Sequence, residues 1–150
     1  MKLIASNRRA RHDFDILERI EAGLVLEGSE VKSLREGKAD LKDSYALVRE
    51  RELWLIGAYI APYSFSRGGG HEPERSRKLL LTRREIDRLA SQMAERGLAL
   101  VPLQLYFKDG RAKLELGLGK GRRTIDKREM IKKRDEEREI ERHLSRRAKR

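Results

Sequence analysis

The apolar residues of this chain are placed so unevenly that it cannot be one uniformly packed unit. Only six of them (Ile125, Met130, Ile131, Ile140, Leu144 and Ala148) fall in residues 119–150, whereas 51 lie among the first 118. A segment so poor in apolar side chains cannot bury enough surface to offset the entropy of ordering its backbone. The sequence therefore predicts a core-forming body over 1–118 and a basic C-terminal tail over 119–150 that stays disordered until a partner makes it helical. Helical spacing in the tail is nonetheless good: Glu129 with Lys133 and Asp135 with Arg138 are matched pairs, and Ile140, Leu144 and Ala148 form a thin apolar stripe.

Charge is divided differently. The whole chain carries 36 Lys and Arg against 25 Asp and Glu, a formal +11. The tail holds 14 basic and 7 acidic residues, net +7, and the body 22 and 18, net +4. Such an excess points to an anionic partner. With no cysteine there is no disulfide, thiolate metal site or cysteine nucleophile, and His12, His71 and His143 are too scattered to spell a zinc motif. No apolar run approaches the ~18 residues that span a bilayer, and the first residues lack the length of a signal peptide, so a cytoplasmic protein without a membrane partner is expected.

In the body, even positions from 14 to 26 read Phe14, Ile16, Glu18, Ile20, Ala22, Leu24 and Leu26, the period of a long half-buried strand. Glu18 breaks the alternation and Gly23 loosens the backbone, which predicts a bulge or sharp bend of the kind that curls a sheet into a barrel. Residues 28–37 read as a two-turn helix capped by Ser29 and stopped by Gly37. Residues 45–48 and 53–60 read as strands around a charged turn, and 67–70 as a flexible loop. Thr82-Arg83-Arg84-Glu85 is a capping box, with Ile86, Leu89, Ala90 and Met93 following at helical spacing up to Gly97. Residues 98–107 and 112–118 are strands joined through Asp109-Gly110, a tight-hairpin dipeptide. About five or six antiparallel strands and two or three short helices fit a small barrel, with an α+β sandwich as the alternative.

Candidate chemistry is sparse. Gly117-Leu118-Gly119-Lys120-Gly121 lacks the GxxxxGK-Ser/Thr spacing of a phosphate loop and leads into the basic tail, so it reads as a hinge. His12 beside Asp13 and His71 beside Glu72 could be acid–base pairs, but neither has a nucleophile nearby, and no enzyme is expected. The basic clusters are more telling. Arg8-Arg9-Ala10-Arg11-His12 and Arg75-Ser76-Arg77-Lys78 each precede an apolar run, which sets dense positive charge at the margins of a rigid sheet, as phosphate recognition requires. Glu21, on the outward face of the first long strand, is either a surface ion partner or an acceptor for a base amino group. Phe14, Tyr45 and Trp54 lie on apolar alternations and read as core, so stacking on single strands is disfavoured and a folded RNA read by shape and backbone is favoured.

Several blocks go further. Asn7-Arg8-Arg9-Ala10-Arg11-His12-Asp13-Phe14, Glu21-Ala22-Gly23-Leu24, Gly28-Ser29-Glu30-Val31-Lys32-Ser33-Leu34-Arg35, Leu41-Lys42-Asp43-Ser44-Tyr45, Arg77-Lys78-Leu79-Leu80-Leu81 and Asp126-Lys127-Arg128 resemble, in order, the SmpB family of SsrA-binding proteins. The resemblance implies an all-β fold with flanking helices: an OB-like antiparallel barrel of six strands with a basic tail. It implies a monomer without cofactor that binds the tRNA-like domain of transfer-messenger RNA and reaches stalled ribosomes with EF-Tu and the alanylated RNA. There the tail enters the empty mRNA channel beside the decoding centre, and trans-translation tags the nascent peptide. Carried over by position, Asn7, Arg8, Arg11, His12, Glu21, Leu80 and Thr82 become RNA-binding candidates beside Arg75, Arg77 and Lys78 from the charge reading. Asp126, Lys127 and Arg128, together with Lys120, Arg122 and Arg123, become the ribosome-binding tail.

Overall fold

The computed structural model describes residues 1–63 and 70–121. Most of the glycine-rich loop expected at 67–70 and the tail beyond Gly121 lie outside these residues, and with them Arg122, Arg123, Asp126, Lys127 and Arg128. The chain runs β1 (Lys2–Ser6), α1 (Arg8–Asp13), β2 (Phe14–Leu24), α2 (Gly28–Arg35), β3 (Ala39–Asp40), β4 (Tyr45–Arg49), β5 (Glu52–Ile56), β6 (Tyr59–Ile60), β7 (Arg77–Leu80), α3 (Arg83–Arg96), β8 (Ala99–Lys108) and β9 (Arg111–Gly121). Strands β8, β4, β5, β7, β2 and β9 follow one another in an antiparallel ring that closes where β9 meets β8; β1 adds to the free part of β8, and β3 pairs with β6 alone. The six-stranded barrel is thus the observed architecture.

Two tight turns set its registers. Glu50 and Arg51 between β4 and β5 both have positive φ (52° and 64°), as do Asp109 and Gly110 between β8 and β9 (53° and 77°). That is the backbone whose twist matches a two-residue hairpin. Gly57, at φ +82°, ends β5 four residues sooner than the apolar run 53–60 suggests and turns the chain into β6.

The long first strand carries the expected irregularity, and its effect exceeds a bend. The β2 to β9 register slips between Ile16 and Glu18, so Leu17 is extra and the two halves of the strand present even positions to opposite faces. Ile20 and Ala22 enter the main core with Leu53, Leu55, Leu79, Leu100, Leu114, Leu116 and Leu118. Phe14 and Ile16 instead join Ala10, Val101 and Leu103 in a second apolar cluster between α1 and the outside of the barrel. Helix α3 supplies Ile86 and Leu89 to the main core, capped by Thr82, whose Oγ1 accepts from the Glu85 amide at 3.2 Å, and closed by Gly97 at φ +64°. Glu18 finds its partner on the same helix: the Arg88 guanidinium donates to both its oxygens at 2.9 and 2.5 Å.

Four sequence expectations are corrected. Trp54, read as core, belongs to neither apolar cluster; it lies opposite Lys78 on the other face of β5, with the Arg49 guanidinium 5.1 Å from its ring centre. Helix α2 is capped by Glu27, one residue before the helix, and the Ser29 hydroxyl pairs with His71 at 2.8 Å. Tyr45 is 46% exposed, because the inward positions of β4 belong to Ala46 and Val48; both faces of this strand are apolar, so alternation could not choose between them. The glycines of 117–121 are neither a hinge nor a phosphate loop. They lie inside β9, which extends three residues beyond 118, and a Cβ on Gly117 would come within 2.9 Å of Leu103 Cδ1, one on Gly119 within 2.8 Å of the Asp15 carbonyl. Bare backbone there lets the second cluster lie flat on the barrel. Gly119→Ala, which meets a backbone oxygen, is expected to destabilise the fold by about 1–3 kcal/mol. Gly117→Ala, which meets the side chains of Leu103 and Ile16 and no backbone atom, should cost less; urea unfolding of the two variants measures the difference.

Candidate nucleic-acid interface

The outer surface of β7, β2, β9 and β8 is organised in cross-strand rows. Leu80 lies opposite Gly23, Gly23 opposite Lys113, and Lys113 opposite Tyr106. One step along, Glu21 faces Glu115 and Glu115 faces Gln104. Leu80 is 49% exposed because Gly23 offers it no flanking side chain; its Cβ is 3.4 Å from where a Cβ of Gly23 would sit. An apolar patch therefore adjoins a carboxylate flanked by two lysines.

The Glu21 carboxylate is held from one side. Tyr106 Oη donates to Oε2 at 2.5 Å and Lys108 Nζ donates to the same oxygen at 3.4 Å. The tyrosine hydrogen bond outweighs the cost of burial and, with Lys108 and Lys113, keeps this carboxyl below the usual glutamate value. The tyrosine answers in the opposite sense: burial, then the neighbouring Glu21 charge, push its phenol well up. Glu115 takes Arg19 at 3.2 Å and Gln104 at 3.3 Å. Glu21, Leu80 and Thr82 thus come together at β2, β7 and the turn after β7, with Lys78 two residues before Leu80 and bound to Glu52 at 2.6 Å.

The second basic cluster sits elsewhere on the same outer layer, where α1 covers the far end of β2, β9 and β8. From Gly23 to Ile16 is roughly 20 Å at the ~3.3 Å rise of a strand. Arg8 and His12 are exposed and Arg11 is half-buried, its Nε enclosed without an acceptor. His12 Nδ1 lies 3.1 Å from Asp13. Asn7 does not face solvent: its Oδ1 accepts from the Ala10 amide at 3.2 Å, while Nδ2 donates to the carbonyls of Pro102 and Leu41 at 3.0 and 3.3 Å. Asn7 sets α1 on the β8 bulge and so fixes where Arg8, Arg11 and His12 stand.

Arg77 is the clearest correction. At 0% exposure it points into the barrel, where Nε donates to Glu30 Oε2 at 2.7 Å and the two Nη groups reach the carbonyls of Ala58 and Pro73 at 2.6 and 2.9 Å. Arg75 completes the arrangement on Glu30 at 2.5 and 3.1 Å, so most of its charge is also committed internally. Burial pushes Glu30 up, but the hydrogen bonds from Arg75, from the Glu27 amide and from Arg77 together hold it below its ordinary value. His71 is likewise structural: it bonds Ser29 and, at 2.9 Å, the Ile60 carbonyl, with Glu72 no part of an acid–base pair. Lys120 is exposed on β9 beside the tail. Tyr106, Lys108, Lys113 and Gln104 were not picked out from the sequence; the signal was there in Lys113 and Glu115 alternating with Leu114, Leu116 and Leu118.

Among the described residues no group of His, Asp and Glu could hold a metal ion, and no helix is long and apolar enough to cross a membrane. What the surface offers is charge, one oriented carboxylate and an apolar patch on a stiff barrel, the equipment of a nucleic-acid-binding β-barrel protein. The SmpB protein family model matches residues 4–146, and the chain belongs to that family. The SsrA-binding protein of Syntrophobacter fumaroxidans is 56% identical over 146 residues, 97% of this chain and 91% of the relative. That of Geobacter sulfurreducens is 52% identical over 148 residues, 99% and 97%. A solved chain described as "tmRNA-SmpB: a journey to the center of the bacterial ribosome" is 48% identical, covers 84% of this chain and 92% of its own, and superposes with a TM-score of 0.67.

The buried pair gives two expectations. Arg77→Met leaves Glu30 enclosed with a lost partner and is expected to cost about 3–5 kcal/mol in urea unfolding. Because Glu30 has a folded value below its unfolded one, its contribution is full above the unfolded carboxylate range near ~4.3 and is lost as pH falls through the folded value. Glu30→Gln should therefore flatten the acid side of a stability-against-pH curve.

Proposed function

We propose that this chain is the RNA-binding adaptor of trans-translation: it binds the tRNA-like domain of transfer-messenger RNA and brings it to stalled ribosomes in the cytoplasm. The observation that carries this is a family match spanning residues 4–146, with relatives called SsrA-binding proteins more than half identical across nearly the whole chain. The barrel suits the task, since a structured RNA is read by shape and backbone from a preformed surface. In this reading Glu21, Leu80, Thr82 and Lys78 meet the RNA on one part of the outer face and Arg8, Arg11 and His12 on another. Arg77 and Asn7 hold those parts in place, and Arg75 contributes from their edge.

The division between body and tail is part of the same proposal. Lys120, Arg122, Arg123, Asp126, Lys127 and Arg128 act at the ribosome, in the mRNA channel beside the decoding centre. EF-Tu accompanies the alanylated RNA. A tail that orders only in an unoccupied channel couples its own folding to the absence of message, at some loss of affinity. No bond is made or broken by the protein.

A chain ending at Gly121, where β9 stops, should still prefer the tRNA-like RNA to an unrelated hairpin. Its affinity should depend less steeply on salt than that of the full chain, because tail phosphate contacts are gone. Equal affinity for both RNAs in a filter-binding titration would count against shape recognition. Replacing Asp126, Lys127 and Arg128 together by Ala should leave RNA affinity within about threefold, a change near RT ln 3, while peptide tagging on stalled ribosomes is abolished; intact tagging would refute the division of labour.

A further inference from the structure

We propose that Tyr106 is a positioning residue for RNA recognition: with Lys108 it occupies one oxygen of Glu21 and leaves the other as a single, oriented acceptor for one N–H or O–H of the RNA. The proposal rests on the reading of Glu21 as an RNA contact and adds what makes that contact selective. Oε2 takes both the Tyr106 hydroxyl, at 2.5 Å, and the Lys108 ammonium, at 3.4 Å, which fills its two lone-pair directions. No donor among the described residues reaches Oε1.

The tyrosine is well placed to do this. The residue is only 6% exposed and sits on β8, so its hydroxyl arrives across β9 from a stiff support. Glu21 lies half in solvent on β2, where an unheld glutamate would sample several rotamers and present either oxygen. Fixing it beforehand removes the ordering cost from the binding step. One free oxygen also restricts what is read. A guanine Watson–Crick edge offers two neighbouring donors, which a free carboxylate takes with both oxygens; Glu21 can take only one. The matching group is the exocyclic amine of a cytosine or adenine, or a ribose 2′-hydroxyl. Leu80 supplies apolar contact on one side of this acceptor and Lys113 charge for a phosphate on the other.

The competing explanation is that the tyrosine and the glutamate merely clamp β2 to β8. Binding of the full chain to the tRNA-like domain of transfer-messenger RNA separates the two in a cycle of Tyr106→Phe, Glu21→Ala and the double variant. Tyr106→Phe keeps the buried ring and loses only the hydroxyl. It should leave the melting temperature near that of the parent, raise the Glu21 carboxyl titration followed by NMR, and weaken RNA binding about threefold to tenfold, the range expected for one side chain left to be ordered. In the Glu21→Ala background the same substitution should weaken binding no further. An equal loss in both backgrounds, or no loss in either, would overturn the positioning role. Glu21→Ala binding as tightly as the parent would instead overturn the reading of Glu21 and the proposal with it. With the role upheld, 2′-deoxy substitution of the RNA segment by segment distinguishes the donors: a hydroxyl contact makes one substituted RNA indifferent to Glu21→Ala, an amine contact makes none so.

Discussion

Everything in this molecule leans on β9. It is the strand that pairs along nearly its whole length with both β2 and β8, and so it turns an open sheet into a ring with no edge there to protect. Its inward residues Leu114, Leu116 and Leu118 fill the barrel. Its outward residues change character along the strand: charged at Lys113 and Glu115, then bare at Gly117 and Gly119. The charged stretch lies in the outer rows beside Glu21 and Tyr106, and the bare stretch lets Phe14, Ile16 and Leu103 settle with α1. One strand thus supplies closure, core, part of the charged outer face and the seat of the first helix.

The charged residues fall into two populations with different physics. Arg77, Glu30 and most of Arg75 are turned inward, where each charge is tolerated because the others and several backbone carbonyls replace its water. They fix the chain around β7, and with it the position of Leu80 and Thr82. Arg8, Lys113 and Lys108 stay at the surface, where phosphate attraction operates at longer range and is weakened by salt. A list of cations in sequence order mixes the two populations; Arg77 and Lys78 are neighbours and belong to different ones.

How much of this the residues announce depends on how local the cause is. The Thr82 cap of α3, the Asp109-Gly110 turn and the alternation in β9 are short-range patterns found where the sequence puts them, although Glu85 turns to Arg88 and does not complete the capping box. The irregularity near Glu18 was legible as a bulge, but not its consequence, because parity is exchanged only when β9 supplies the register against which Leu17 is extra. Tyr45 and the glycines of 117–121 were misread for the same reason: which face is inside, and what lies against a bare backbone, are decided by strands distant in sequence. At the interface, Glu21 and Leu80 were visible through family resemblance, whereas Tyr106 could be connected to Glu21 only after β8 had been folded across β9.

Gly121 pairs with Phe14 at the start of β2, so the last strand is held in the ladder to its final residue. The described chain therefore ends at a position fixed by the ladder, next to α1 and its basic residues. Closure of the ring thus ties both ends of the outer layer together: a pull on residue 121 is borne first by the ladder it shares with Phe14, and through β2 by the whole barrel.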